Sequence, residues 1–420
     1  MRVTVIAGGS RGDVQPLVAL GLGIRDAGHE VTIAAPEDFA GLVTGRGLRF
    51  SSLQYSIAEQ VGSELGTRWI TESSGNPIRE LRNLTQLFQR WAPTVATAVL
   101  GLSGSADVFI SGVLTVDATA ALATHDGVRH ANALLAPFHP SADGRVGMQA
   151  PLPRRSSPLN RAAGRSQLYW MAEAFGGVGA YVRSRLAMGS SGHSAFSSTL
   201  QAAPTVLGAS RVLVPRPSDW PSRVQVTGAW FLPEDHTWEP PKRVRDFLAA
   251  GDPPVYLGFG SMGGASRGRV ADAVAAAIAA TRIRAVMPAN LAATCQDEDN
   301  VLGVGSLPHE WLFSRMAAVI HHGGAGTTHA ALRAGVPAGI VSHMGDQPYW
   351  GRRLSALRLG VGPLPLHRLD ARRLAEMITT LSHDGDRVRN TRLASQRVTS
   401  EQGIHRAVAA LGLSSALSPG

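Results

Sequence analysis

The sequence predicts an α/β protein made of two doubly wound, Rossmann-like parallel-sheet domains. Three observations carry that expectation. The chain has 420 residues, about twice an ordinary domain. Short apolar runs alternate with helical patterns from the N-terminus onward, the rhythm of parallel strands joined by covering helices. Near the middle the rhythm is broken by two proline-rich stretches, after which it resumes.

The first element is the apolar run Arg2 to Ala7, followed by a turn, Gly8 to Gly12. A helix follows over Val14 to Ala27, where Leu17, Leu20, Ile24 and Ala27 fall at helical spacing and Gly28 ends the pattern. Val31 to Ala35, Asp107 to Ser111 and Val128 to Leu135 read as strands, with a helix over Val116 to Thr124. Between Gln54 and Ala106 a stripe of Ile78, Leu81, Leu84, Leu87, Phe88 and Trp91 marks a helix packed on a core. Ala150 to Ser166 is rich in Pro, Ser and Arg and reads as a loop. The helical segment after it, with Leu168, Trp170, Met171 and Phe175, suits either core packing or an apolar pocket. Arg211 to Val214 and Val224 to Gly228 read as the last strands of the first half.

Pro215 to Pro221 and Pro233 to Pro241 supply the break. The expected division is a first domain over 1–215, a linker over 216–241 and a second domain over 242–420. In the second series the strands are Val255 to Phe259, Ile283 to Met287, Val301 to Val304, Ala317 to His321 and Ala338 to Ser342. Its first helix spans Val270 to Ala280, and no sequence repeat links the halves.

Composition narrows the function classes. No apolar run approaches the roughly 18 residues of a membrane span, and the N-terminus enters a strand at once, without a signal-peptide pattern. A cytoplasmic protein without stable membrane insertion is expected. The single cysteine, Cys295, rules out an internal disulfide and a cysteine-based zinc cage. Net charge is +9, and Lys242 is the only lysine. The arginines are scattered, with no basic run interleaved with aromatics, so a nucleic-acid partner is not expected.

The chemistry gathers at His321 to Thr328, the run HHGGAGTT between a strand and a helix. Unpaired N–H groups and the macrodipole at a helix N-terminus favour anions. Glycines let the backbone approach a phosphate, Thr327 and Thr328 can cap the helix or donate hydroxyls, and His322 can donate a ring N–H. Taken alone, the run is either a tight turn or an anion site.

The longer stretch Ser306 to Pro348 resembles the donor-binding motif of GT-B glycosyltransferases, especially bacterial natural-product enzymes of the vancomycin type and sterol glucosyltransferases. The likeness rests on Pro308-His309, HHGGAGTT, Arg333 to Pro337 and Gly345-Asp346-Gln347-Pro348, joined by Gly258 to Met262 and the N-terminal loop. It implies two domains facing across a cleft, and a nucleotide-sugar that is substrate rather than cofactor. His322, Gly324, Gly326 and Thr327 would hold the diphosphate, and Ser261 would meet phosphate from the opposite wall. Leu307 would offer backbone groups to the base, and Asp346 and Gln347 would bond the sugar hydroxyls. On its own, Asp346 also fits a helix cap. Where relatives carry an Arg or Gly-Trp near the base, this chain has Pro288-Ala289-Asn290, so UDP and dTDP both stay open.

Sugar transfer to a hydroxyl needs a proton acceptor and a stabilised leaving group. Asp13 is the only carboxylate in the loop Gly9 to Pro16; the resemblance makes it the base, while its position also suits an N-cap. That loop has no histidine; His125, His130 and His139 are distant candidates. Asp297-Glu298-Asp299 spells a metal-binding D-x-D but reads as a solvated loop, so no metal is expected. The expected activity is inverting transfer from a UDP- or dTDP-sugar to a lipophilic polyketide, macrolide or sterol-like acceptor. The alternatives are a sugar-nucleotide epimerase on the same scaffold and a non-catalytic partner protein.

Overall fold

The computed structural model describes residues 1–72, 77–189, 192–234, 238–260, 265–295 and 299–414. They form two compact units, each built on one parallel sheet.

The first unit comprises Met1–Trp69, Pro77–Leu232 and Glu401–Gly420. Its strands are β1 (Arg2–Ile6), β2 (Glu30–Ala35), β3 (Arg49–Ser52), β4 (Val108–Ser111), β5 (Arg129–Leu134), β6 (Thr205–Leu207) and β7 (Val224–Val226), in the order 3-2-1-4-5-6-7. Every pairing is parallel. Val3, Val5, Ile33, Val108 and Ile110 pack one face against Leu17, Leu20 and Ile24 of the helix Arg11–Asp26. Ile6 and Phe109 pack the other face against Val95, Val99 and Leu122. Both faces are buried, which is why the strands read as continuous apolar runs.

Several boundaries differ from the sequence reading. Arg211 to Val214 is a turn rather than a strand, with Val214 N–H donating to the Ser210 carbonyl at 2.8 Å. The strand is the three-residue β6 upstream, too short for an alternating pattern to show. The helix Pro158–Arg185 begins inside the expected loop, with the Ser157 hydroxyl accepting from Leu159 N–H and proline in the first turn. An ion pair between buried Asp117 and Arg183 ties this helix to the helix Val116–Asp126. β7, which fell within the expected linker, belongs to the first unit. So does the helix Gly403–Ala410, which the sequence placed in the second domain. Ala407, Val408 and Leu413 join the core of β1 and β2, and Gly23 lets Ile404 reach the helix Arg11–Asp26 at a distance no side chain there would allow.

The second unit comprises Ile70–Asn76 and Pro233–Ser400. Its strands are β8 (Val255–Gly258), β9 (Ala285–Pro288), β10 (Val301–Val304), β11 (Ala318–His321), β12 (Ala338–Ser342) and β13 (Gly360–Pro365), in the order 10-9-8-11-12-13 and all parallel. Counted within the unit, that is the doubly wound order 3-2-1-4-5-6. Its core joins Leu257, Ile320 and Val341 to Val274, Ile278, Leu374 and Ile378 of the covering helices.

Candidate functional site

In an open α/β sheet, ligands collect beyond the carboxyl ends of the strands where strand order reverses. In the second unit that point lies between β8 and β11, whose last residues, Gly258 and His321, sit side by side. The chain leaves β11 through His322, Gly323 and Gly324 and enters the helix Ala325–Arg333. Gly323 has φ +96° and donates its N–H to His321 Nδ1 at 3.0 Å; a Cβ there would lie 2.7 Å from the Ile340 side chain. Only glycine makes this turn without strain. Gly324 is the N-cap, and its carbonyl accepts both the N–H and the hydroxyl of Thr328, each at 2.9 Å. The first-turn N–H groups of Ala325, Gly326 and Thr327 have no intrahelical acceptor, as at any helix start. A Cβ on Gly326 would meet nothing within 4 Å.

The His322 ring lies between two glycine turns. A Cβ at Gly324 would come within 2.7 Å of its Nε2, and one at Gly260 within 3.3 Å of its Nδ1. That Nδ1 is buried. Burial lowers the pKa of His322; the Gly258 backbone favours the charged ring and His343 opposes it. His321 is fully buried and held well below the ordinary histidine value, first by burial and then by His322 and His309. His329 donates from Nδ1 to the Ala325 carbonyl at 2.7 Å and is pushed down to about 4 by burial. The resting site therefore presents neutral imidazoles.

Beside this turn, beyond β8, β9 and β10, opens a cavity of about 460 Å³. Leu307, His309, Tyr256 and Asn290 are among the residues that line it, together with Pro288 and Ala289. The His309 ring stacks on Phe313 at 4.4 Å between centroids. Leu307 and the divergent Pro288-Ala289-Asn290 thus share one pocket.

After β12, Asp346 and Gln347 open the helix Gln347–Ala356. Asp346 occupies the N-cap position, but its side chain does not cap; its Oδ2 accepts the indole N–H of Trp350 at 2.7 Å. Burial raises the pKa of Asp346, and the Trp350 hydrogen bond works against that rise. Gln347 Oε1 accepts the backbone N–H groups of His343 (2.7 Å) and Met344 (3.2 Å). Gln347 also closes on the glycine turn, since a Cβ at Gly323 would lie 3.1 Å from its Cβ. The second unit thus gathers His322, Gly324, Gly326, Thr327 and Gln347 around one turn. Sequence reasoning missed Trp350, although its i,i+4 spacing from Asp346 was there to read.

In the first unit, Asp13 stands in the first helical turn after β1. Ser10, not Asp13, is the N-cap. Asp13 Oδ2 accepts the Ser10 N–H at 2.9 Å and its hydroxyl at 3.1 Å, the reach-back half of a capping box. The Gly9 N–H donates to Tyr55 Oη at 3.2 Å, and a Cβ on Gly9 (φ +111°) would lie 2.5 Å from the Asp13 carboxylate. Tyr55, which the sequence did not single out, is buried, and burial raises its phenol pKa. Of the distant histidines, His125 is exposed, and burial pushes His130 and His139 down to about 4. His130 Nε2 pairs with Ser111 Oγ at 2.9 Å. In the long helix, Leu168 and Met171 pack with Phe196, while Tyr169 and Trp170 are 51% and 49% exposed. Met171 is therefore core.

Ser261 lies outside the described residues, as do Asp297 and Glu298. Among the described residues, no three His, Cys, Asp or Glu side chains converge on a point that could hold a metal, and no helix is long and apolar enough to cross a membrane.

Two parallel-sheet α/β units, each with a glycine-bearing turn at its strand-order reversal, match the GT-B class of architecture. The solved structure of CalG4, the calicheamicin glycosyltransferase, superposes with a TM-score of 0.69 at 19% identity, covering 100% of both chains. VinC in complex with dTDP gives 0.68 at 19% identity, covering 99% of each. Residues 3–130 match the glycosyltransferase family 28 N-terminal domain. Residues 271–405 match the C-terminal domain of erythromycin biosynthesis protein CIII-like proteins. The chain is 32% identical to O-mycaminosyltylonolide 6-deoxyallosyltransferase of Streptomyces fradiae, over 97% of this chain and 96% of that protein. It is 28% identical to the sterol 3-beta-glucosyltransferase UGT80A2 of Arabidopsis thaliana, spanning 98% of this chain but 65% of that one. This chain belongs to the GT-B glycosyltransferase family that these natural-product and sterol enzymes share.

Proposed function

We propose that the protein transfers a sugar, with inversion and without a metal, from a UDP- or dTDP-sugar to a hydroxyl of a lipophilic acceptor of the macrolide or sterol kind. The observation that carries this reading is a helix start with a bare glycine, Gly326, beside a cavity roomy enough for a nucleobase at neighbouring strand ends of the same unit. A diphosphate held by the N–H groups at Gly324 to Thr327 and by His322 would place its base in the cavity against Leu307 and Asn290. Asp346 and Gln347 would take the sugar hydroxyls. The relatives support the two substrates differently. One is named for a glycosylated tylonolide and another for sterols, while three solved relatives, VinC, SsfS6 and SpnG, hold thymidine diphosphate.

The acceptor oxygen attacks the anomeric carbon as the bond from that carbon to the diphosphate oxygen breaks. The hydroxyl proton passes to the Asp13 carboxylate, and the diphosphate leaves with the bonding electrons. Its charge falls on backbone N–H groups already aimed at it, which supply electrostatic stabilisation without reorganisation. A single displacement on an α-linked donor gives a β-linked product.

Asp13→Asn tests the base. Transfer should fall by at least about 10²-fold, while affinity for UDP and dTDP, titrated by calorimetry, stays within about twofold. Loss of nucleotide binding along with activity would make Asp13 a structural residue of the Ser10 turn.

A further inference from the structure

We infer that Trp350 is a positioning residue for the donor sugar: its indole N–H and the His343–Met344 backbone fix Asp346 and Gln347 as one outward acceptor and one outward donor before any ligand arrives. The inference rests on the nucleotide-sugar reading above and names what would give that site its preference for a hydroxyl-bearing sugar.

Two hydrogen-bond assignments carry it. The N–H groups of His343 and Met344 can be accepted only by the amide oxygen of Gln347. That fixes the amide orientation and leaves Nε2 as the donor turned away from the backbone. The indole of Trp350 has only an N–H to give, and it gives it to Asp346 Oδ2, so Oδ1 is the acceptor left for a ligand. The two outward atoms complement a sugar hydroxyl that donates to Asp346 and accepts from Gln347, or two neighbouring hydroxyls doing one each.

The anchor itself is rigid. Trp350 is fully buried, with edge contacts to the rings of His329 at 5.0 Å and Tyr349 at 4.9 Å. His329 is in turn bonded to Ala325, in the first turn of the helix that would hold the diphosphate. The sugar pair and the phosphate turn are thus braced by one aromatic cluster. Side chains locked by such supporting hydrogen bonds lose little freedom when a ligand binds.

The test is calorimetric titration of the wild type and variants with UDP, dTDP, UDP-glucose and dTDP-glucose. Trp350→Phe keeps the ring packing and removes only the N–H. The ratio of sugar-nucleotide to free-diphosphate affinity should fall about tenfold, the loss expected for a hydrogen bond to a charged group. Free-diphosphate affinity should stay within about twofold. In an Asp346→Asn background, Trp350→Phe should add almost nothing. Gln347→Glu keeps an oxygen for the His343 and Met344 N–H groups but turns the outward donor into an acceptor; the same ratio should fall without any change in the core. An unchanged ratio in either single variant overturns the inference, as does full additivity of Trp350→Phe with Asp346→Asn. If Trp350→Phe weakens both ligands equally, its role is structural and the inference is wrong. If the wild type binds neither UDP nor dTDP, the nucleotide-sugar reading itself falls, and this inference with it.

Discussion

Replacing Gly326 with alanine separates what the glycine turn does for folding from the diphosphate binding proposed for it. Gly326 is the second residue of the helix Ala325–Arg333, and a Cβ there would meet no atom within 4 Å. Its φ is not among the positive ones, so nothing in the folded chain requires glycine. Alanine in a helix is favoured over glycine by up to about 1 kcal/mol. This close to the helix end, a gain of about 0.5 kcal/mol is expected, or about 1–2 °C in Tm for a unit of this size. If the bare backbone exists to let a diphosphate approach the first-turn N–H groups, the added methyl sits where an oxygen must go. Losing one charge-assisted hydrogen bond costs about 1.5–3 kcal/mol, or about 10- to 100-fold in affinity. Thermal unfolding and titration with UDP and dTDP read the two effects separately. A Gly326→Ala protein that binds both diphosphates as tightly as the wild type would refute the assignment of this turn. So would one that loses stability along with binding.

Two further predictions concern folding. Burial holds His329 and His139 at about 4, against about 6.5 in the unfolded chain. Below pH 6.5 the unfolded chain takes up protons that the folded one refuses, so stability is full above pH 6.5 and lost progressively toward pH 4. The limit is about 3 kcal/mol for fully buried His329. Urea midpoints for the wild type should fall across that window, and His329→Gln should flatten the decline; a midpoint independent of pH from 6.5 to 4 would contradict the buried neutral rings. Separately, Gly23→Ala drives a methyl into Ile404 and should destabilise the first unit by about 1–3 kcal/mol. Adding Ile404→Ala should restore much of the loss. Failure of that rescue would mean that the helix Gly403–Ala410 does not pack on the first unit.

What the sequence revealed and what it hid follow from the range of the interactions involved. Buried parallel strands announce themselves as apolar runs, and the turn after β11 shows its glycines because Gly323 must adopt a positive φ. The glycine turn and the helix start that follows it were therefore legible residue by residue. β6 was not, since three residues carry no period and its support comes from pairing with β5 and β7. The start of the helix Pro158–Arg185 was hidden because a proline that usually marks a loop sits in a first turn, where it costs nothing. The C-terminal helix carries an ordinary amphipathic pattern that says nothing about which sheet it covers; Gly23, one close approach far back in the chain, decides that. At the candidate site, the residue types of Asp346 and Gln347 were readable, but the atoms left facing a ligand were not. Those depend on Trp350 and on two backbone N–H groups, which only the folded turn brings within reach.

The most direct measurement of the central claim is mass-resolved turnover. Purified protein is incubated with UDP- and dTDP-sugars and a panel of macrolide, polyketide and sterol alcohols, with the released diphosphate counted alongside. At least one acceptor should gain one sugar, one nucleoside diphosphate should appear per sugar transferred, and the new linkage should be inverted relative to the donor. Conversion of the nucleotide-sugar without an acceptor, or a product that keeps the donor's anomeric configuration, would contradict that claim.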